Sequence, residues 1–422
     1  MEALKTSLKC CLKDCSDSSA LDQHVAVKTV LSIENGKSSL KSKFMVRWKT
    51  NGEAEFHKAC WDQIYLLARA RTKQGIISLT KEEKAMIKIA AESAEMFDSF
   101  QHIKHAAGTA ASWIRDSNQL VVFTGAGIST SAGIGDYRGK AGKWTEEDQI
   151  HAMAAESKEP VSKKAKLDAD AENDSTCDLE EGVPYEKLRP TYTHEALKKL
   201  HKDGYLKYVI SQNGDGLHRL SGISAKDISE LHGNVFIETC EKCKKIFERP
   251  YYVLDDESSQ YYEEIEDFGK SHVKKKKYAK KCTLCGLSHR TGRRCDDKKC
   301  DGYLQDTIIN FRDHLDESTL VKAEEMCRQC DVMLCLGTTL QVTPACDLVK
   351  NLTSRDRLII CNRQETPLDR QFQGPRANGC RVFGNCDVFI REMMGNLYQA
   401  ADLAQWESER ETRLAEYDIS RA

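Results

Sequence analysis

The segment Leu120-Val-Val-Phe-Thr-Gly-Ala-Gly-Ile-Ser129 carries a short apolar run directly into a glycine-rich turn. A run this short and this apolar predicts a strand buried on both faces, as in a parallel sheet. Glycines immediately after such a strand let the backbone approach a pyrophosphate, whose charge the amides of a following helix terminus can hold. The turn is not the common dinucleotide fingerprint, because the third glycine comes late and no acidic residue stands about 20 residues on. On its own it fits a tight strand-to-helix turn equally well.

Outward from this segment the same pattern recurs. Tyr205–Ser211, Val332–Leu336 and Arg357–Cys361 are short apolar strand candidates, with helical segments such as His194–His201 and Leu320–Cys327 between them. Alternation of this kind predicts an α/β fold, a Rossmann-like parallel sheet flanked by helices. Ligands of such sheets bind where loops leave the carboxyl ends of the strands. Ser131-Ala-Gly-Ile-Gly-Asp-Tyr-Arg-Gly139 reads as a loop that folds over a bound anion, with Trp144 placed to close it. Ser211-Gln-Asn-Gly-Asp-Gly-Leu-His218 ends a strand in amide and carboxylate side chains. Asn213 and Asp215 could bond a ribose or a carboxamide, or could simply build an Asx turn. Glu230-Leu-His-Gly233 adds His232, a candidate base that titrates near neutrality.

Eighteen cysteines in a chain whose first residues, Met1–Lys9, carry no apolar run argue for metal ligation and core burial over a disulfide framework. Cys335, Cys346 and Cys361 sit in or beside apolar runs and read as core residues. Cys240-x-x-Cys243 in polar sequence offers two thiolates of a tetrahedral zinc site. Spacing alone lets either Cys295-x4-Cys300 or Cys282-x-x-Cys285 complete it. Four thiolates leave no open position, so such a zinc would be structural.

Residues 1–78 read as an accessory unit, with strands at Phe44–Trp48 and Ala54–His57 around an Asn51-Gly52 hairpin turn. His57-x-x-Cys60 together with Cys11 and Cys15 could bind zinc there. A helical region from Thr80 to Arg115 opens a main domain of residues 79–398. Within it, 145–188 is a polar, flexible insertion. Residues 236–306 form a zinc-binding module carrying a charged insertion at 251–281, and 399–422 form a charged helix or tail. A net charge of −2 gives no global attraction to nucleic acid, which leaves only the basic runs Lys163–Lys166 and Lys274–Lys277 for DNA or chromatin contact. No stretch of about 18 apolar residues exists, so the reading expects no membrane span.

Taken in order, these motifs resemble the sirtuin family from about Leu120 to Cys386. The phosphate loop, the Gln-Asn-x-Asp-Gly-Leu-His strand end, Leu-His-Gly, the cysteine pairs and Leu336-Gly-Thr-Thr339 all occur in family order. Asp136-Tyr-Arg-Gly139, Ser229-Glu-Leu-His-Gly-Asn234 and Thr291-Gly-Arg-Arg-Cys295 resemble the class IV branch that includes mammalian sirtuins six and seven, nearer to the seventh. The resemblance implies a protein-lysine deacylase that consumes NAD as co-substrate and acts on acyl-lysine in histones or other nuclear proteins. Nuclear localisation follows from the same likeness. It assigns the zinc to Cys240, Cys243, Cys295 and Cys300, because Cys300 stands at the family's distance from Asp306-Thr-Ile308. His232 becomes the base that deprotonates a ribose hydroxyl, while Asn213 and Asp215 position ribose and nicotinamide. Gly125, Ala126, Gly127, Ser129 and Arg138 fall to the phosphates, and Gly337, Thr338, Asn362 and Cys386 to the adenosine side. The cofactor set also takes in Asp136, Tyr137, Trp144, Gln212 and Thr339. Two other outcomes use the same residues: mono-ADP-ribosyl transfer, and a chromatin-binding scaffold of weak activity. Three departures stand out. Gly135 replaces a proline and should loosen the cofactor loop. Gly214 removes one wall of the nicotinamide pocket, and Arg312 replaces an acidic residue beside the peptide.

Overall fold

A computed structural model describes residues 9–12, 15, 23–28, 46–47, 49, 53–62, 88–89, 91–135, 184–254, 280, 282–286, 288–352, 357–372 and 379–421. The first two strands are β1 (His24–Lys28) and β2 (Glu53–His57), followed by β3 (Glu95–Phe97) and helix α1 (Phe100–Arg115). Next come β4 (Leu120–Thr124), α2 (Tyr192–Lys202), β5 (Leu206–Ser211), the single turn α3 (Leu217–Leu220) and β6 (Ile228–Glu230). A run of strands follows, β7 (Ile237–Cys240), β8 (Ile246–Glu248), β9 (Arg290–Arg294) and β10 (Tyr303–Asp306). The chain then alternates α4 (Glu317–Gln329), β11 (Val332–Leu336), α5 (Ala345–Leu352), β12 (Leu358–Cys361) and β13 (Cys380–Val382). It closes with helices α6 (Cys386–Leu397), α7 (Ala400–Ser408) and α8 (Arg410–Ser420).

Six strands form one parallel sheet in the order β13-β12-β11-β4-β5-β6. Both β4 and β11 are buried at all five positions, as a strand covered on both faces must be. Side chains alternate between two cores. Leu120, Val122, Leu334 and Leu336 face α1, α2 and α6, whereas Val121, Phe123, Met333 and Cys335 face α4 and α5. Each fully buried Leu, Val or Phe contributes roughly 1.5–3 kcal/mol over its exposed state. Alanines at 106, 107, 110 and 111 give α1 a flat face, and the helix lies closely against α6. Cys335, Cys346 and Cys361 are buried core residues.

The strand order places a topological switch at the centre of the sheet. The chain moves from β4 to β5 to β6 on one side, then returns to β11 on the other side of β4. Loops leaving parallel strands at such a switch open a crevice, and those here follow Thr124 and Leu336.

A second sheet, antiparallel in the order β8-β7-β10-β9, is inserted between β6 and α4. A third, β2-β1-β3, forms the N-terminal unit. There the structure adds to the hairpin expectation. β2 pairs with β1, His57 opposite His24, while the Lys49 amide donates to the Glu53 carbonyl at 2.8 Å across the Asn51-Gly52 position; of 44–48 only 46 and 47 are among the described residues. Val46 instead bridges Leu12, and the Cys11 amide donates to the Glu55 carbonyl at 2.8 Å. The helix expected over Thr80–Arg115 is broken at Glu95–Phe97, which joins this sheet beside β1. The unit therefore draws a strand from beyond residue 78. The insertion over 145–183 and the segment 255–279, with Lys163–Lys166 and Lys274–Lys277, lie outside the described residues.

The C-terminal residues are not a free tail. Arg413 of α8 pairs with Glu195 at 2.8 Å, Tyr192 donates to Glu407 at 2.8 Å, and Arg189 pairs with Asp418.

Candidate active site

The crevice is built on close backbone contact. The Gly125 amide donates to the Leu336 carbonyl at 3.0 Å and the Gly127 amide to the Gly337 carbonyl at 2.9 Å. A Cβ at either glycine would lie 2.7 Å from Gly337 atoms. The sequence reading has these glycines let the backbone approach a pyrophosphate, with the amides of the following helix terminus as its donors. The structure shows a further role, because both glycine amides donate to the β11 loop and a Cβ at either position would meet Gly337.

Polar side chains fill the mouth. Ser129 donates through Oγ to Asp215 Oδ2 at 2.6 Å, and Asn213 Nδ2 donates to the Gly125 carbonyl at 3.1 Å. Asp215 Oδ1 also accepts the Leu217 amide at 2.9 Å, an Asx turn at the entry to α3. The Asx-turn reading of Asp215 is thus met, and the turn leaves Asp215 facing Ser129 in the crevice. Ser129, Asn213 and Asp215 are all buried. Buried amide, hydroxyl and carboxylate groups at a strand-end crevice fit a ligand rich in hydroxyls and amide groups, such as a ribose bearing a carboxamide.

His232 stands on the loop after β6. Its Nδ1–H donates to the Gln212 carbonyl at 2.8 Å. A carbonyl can only accept, so in the neutral ring Nδ1 holds the proton and Nε2 carries the free lone pair. Burial holds this imidazole below the ordinary histidine range, which keeps it neutral and able to accept a proton; the Gln212 carbonyl opposes that shift. Gly233 next to it has φ 80°, and a Cβ there would lie 1.9 Å from the Thr307 carbonyl oxygen. Only glycine fits. The Ile309 amide donates to the His232 carbonyl at 3.1 Å, which fixes the loop from the other side.

On the far side of the switch, Thr338 donates through Oγ1 to Gln212 Oε1 at 2.8 Å. Gln212 thus ties the β11 loop to the histidine. Gly337 has φ 63°, and Thr339 is half-buried beyond it. Asn362 is buried after β12, with its amide donating to the Gln364 carbonyl at 3.0 Å. Cys386 begins α6 and is buried against the Cys361 carbonyl. Asp136, Tyr137, Arg138 and Trp144 lie outside the described residues.

Among the described residues, side chains of metal-ligand type gather in three groups. Sγ atoms of Cys240, Cys243, Cys295 and Cys300 all lie within 4.8 Å of one another, with Cys240–Cys300 at 3.6 Å and Cys243–Cys295 at 3.7 Å. Zinc–sulfur bonds of about 2.3 Å put sulfurs about 3.8 Å apart across a tetrahedron, so these four could hold zinc with little movement. In the N-terminal unit the group is Cys10, Cys15, His57 and Cys60. Cys10 takes the place expected for Cys11, whose backbone pairs with Glu55. The third group is Cys282, Cys285, His289 and Asp313.

Comparison with known proteins decides what this arrangement belongs to. The Sir2 family profile matches residues 125–344, which span the glycine loop, His232 and all four cysteines of the first group. The chain belongs to the Sir2 family. Rice (Oryza sativa subsp. indica) NAD-dependent protein deacetylase SRT1 is 36% identical over 278 residues, 66% of this chain and 46% of that protein. Drosophila melanogaster NAD-dependent protein deacetylase Sirt6 is 35% identical over 279 residues, 66% of this chain and 72% of that protein. Human NAD-dependent protein deacetylase sirtuin-7 is 31% identical over 313 residues, 72% of this chain and 62% of that protein. The chain thus spans about half the length of the rice relative it matches.

Sequence reasoning missed Ile308. Its Cδ1 lies 3.2 Å from where a Gly214 Cβ would stand, so part of the wall lost at Gly214 is supplied from β10's exit. Asp306 was quoted only as a spacing mark, yet it is buried and its carboxylate accepts the Ile308 amide at 2.8 Å. Neither signal is local in sequence. Both depend on how the inserted sheet meets the His232 loop.

Proposed function

We propose that this Sir2-family chain is an NAD-dependent protein-lysine deacylase with His232 as its base. The observation that carries the reading is the half-buried imidazole whose Nδ1–H is fixed on the Gln212 carbonyl, leaving Nε2 to take a proton. When bound, NAD supplies a ribose whose anomeric carbon can give up nicotinamide and accept the acyl oxygen. Asn213 and the Ser129–Asp215 pair would hold the ribose and carboxamide, Gln212 would orient the base, and the walls around Gly125, Gly127 and Gly337 would exclude water. His232 Nε2 then takes the proton of a ribose hydroxyl. Zinc on Cys240, Cys243, Cys295 and Cys300 holds the inserted sheet together and takes no part in proton transfer. A second zinc on Cys10, Cys15, His57 and Cys60 closes the N-terminal unit.

The substrates in this reading are acyl-lysines of histones or other nuclear proteins, reached in the nucleus. The basic runs Lys163–Lys166 and Lys274–Lys277 support contact with chromatin. No helix of the described residues is long and apolar enough to cross a membrane. The test is turnover of an acyl-peptide panel with labelled NAD, reading nicotinamide release, peptide mass and the fate of the label. Free acyl-ADP-ribose with deacylated peptide is expected. Label retained on protein would replace the reading by ADP-ribosyl transfer.

A further inference from the structure

The third group of ligand-type side chains lies where the charged insertion returns to the inserted sheet. Cys282 Sγ stands 3.4 Å from Asp313 Oδ1, Cys285 Sγ 3.4 Å from His289 Nε2, and His289 Nε2 3.3 Å from Asp313 Oδ2. Zinc bonds of about 2.0–2.3 Å to nitrogen, oxygen and sulfur set ligand atoms about 3.3–3.8 Å apart. The group already has that spacing.

Two independent features mark it as a built site. The turn Cys282–Gly286 repeats the turn Cys240–Lys244 of the four-cysteine group. In each, the residue four past the first cysteine has a positive φ (85° at Gly286, 61° at Lys244). In each, that residue's amide donates to the first cysteine's carbonyl, at 3.2 and 3.0 Å. A backbone amide is also aimed at the first sulfur in both turns, Leu284 at Cys282 and Cys243 at Cys240. The second feature is behind the histidine. His289 Nδ1 faces the buried Asp306 carboxylate at 3.3 Å, which leaves Nε2 directed at Cys285 and Asp313. Metal-bound histidines are oriented by such a carboxylate on the other ring nitrogen.

The group also touches the machinery. Asp313 Oδ2 accepts the Asn310 amide at 3.0 Å, and the Asp313 amide returns to the Asn310 carbonyl at 3.0 Å. This closed turn presents Phe311, 69% exposed, two residues beyond the Ile309 amide that binds the His232 carbonyl. An exposed aromatic beside the base is a surface for the substrate chain.

We propose that Cys282, Cys285, His289 and Asp313 form a further zinc site that clamps the Asn310–Asp313 turn and thereby sets how tightly the acyl peptide is held. The metal assignment stands on geometry alone; its effect on peptide binding rests on the deacylase reading. The test uses the full-length chain. Elemental analysis should find one equivalent of zinc fewer in the Cys282→Ser/Cys285→Ser variant than in the wild type. In the wild type, alkylation followed by peptide mapping should find Cys282 and Cys285 protected until a chelator is added. The variant should raise the acyl-peptide KM roughly tenfold while the NAD KM stays within about twofold. Equal zinc contents, or both thiols alkylated at once without chelator, would overturn the site. Zinc lost with an unchanged acyl-peptide KM would overturn the clamp. A chain with no turnover at all defeats the deacylase reading, while the zinc difference and thiol protection still decide the site.

Discussion

Two buried histidines should make this protein lose stability in mild acid. His194 and His218 pack edge to face with ring centroids 4.7 Å apart, and both are buried. Each has one nitrogen bonded to a threonine hydroxyl, His194 to Thr191 at 2.8 Å and His218 to Thr124 at 2.9 Å. Among the described residues, His194 Nε2 and His218 Nδ1 have no hydrogen-bond partner. Burial lowers both pKa values to about 3 from an ordinary 6.5. Because the folded value is depressed, this contribution is fully present above pH 6.5. It is lost as the pH falls from there toward 3. At pH 5.5 an unfolded histidine is about nine-tenths protonated while each folded one stays neutral, so each removes about 1.4 kcal/mol relative to pH 7.5. The perturbation is His218→Gln, which can keep a bond to Thr124 and does not titrate. Urea unfolding of both proteins at pH 7.5 and pH 5.5 should show the wild type losing about 1.4 kcal/mol more than the variant. Taking that difference removes the other groups, including Glu230, whose burial-raised value near 7 adds stability as the pH falls. Parallel losses in the two proteins would refute the claim that His218 is kept neutral by the fold.

Other expectations follow from single contacts. Replacing Gly233 by alanine forces a Cβ into the Thr307 carbonyl at a φ of 80°, and should cost more than about 1 kcal/mol in urea unfolding together with most of kcat. Gly135→Ala should instead stabilise by about 0.4–1 kcal/mol, because a Cβ there meets nothing within 4 Å among the described residues and its φ is not left-handed. Arg413→Met leaves the buried Glu195, among the described residues, with only the Arg410 cation at 3.5 Å, and thermal unfolding should show a loss of about 3 kcal/mol that Glu195→Gln largely restores. Chelation of zinc should unfold β7–β10, seen by near-ultraviolet circular dichroism, and re-addition should restore the signal except in Cys240→Ser.

Much of the sheet was legible because its central strands are short apolar runs with nothing else to be. Val332–Leu336 was read to the residue, and Leu120–Thr124 lost nothing in folding. The edge strands β6 and β13, three residues each, carry too little pattern to be seen. The N-terminal register was not legible for a sharper reason. Neighbouring residues of an extended chain point to opposite faces, so which of Cys10 and Cys11 joins His57 depends on a pairing with Glu55 that spacing does not encode. His232, Asn213 and Asp215 stand out in the sequence as candidates, because polar residues there follow apolar strand runs. What they do to one another could not. Asp215 holds Ser129, and Gly125 is needed by Gly337, only because the switch brings β4 and β11 side by side.

The most direct test of the account is deacylation by His232→Ala beside the wild type, with NAD and acyl-peptide saturating. The account predicts that product falls at least about 100-fold while zinc content and unfolding temperature hold. It also predicts that the wild-type kcat/KM loses its acid limb only below the ordinary histidine range of about 6.5, as protonation reaches the half-buried ring. Deacylation within a few-fold of wild type in a folded His232→Ala protein would contradict it.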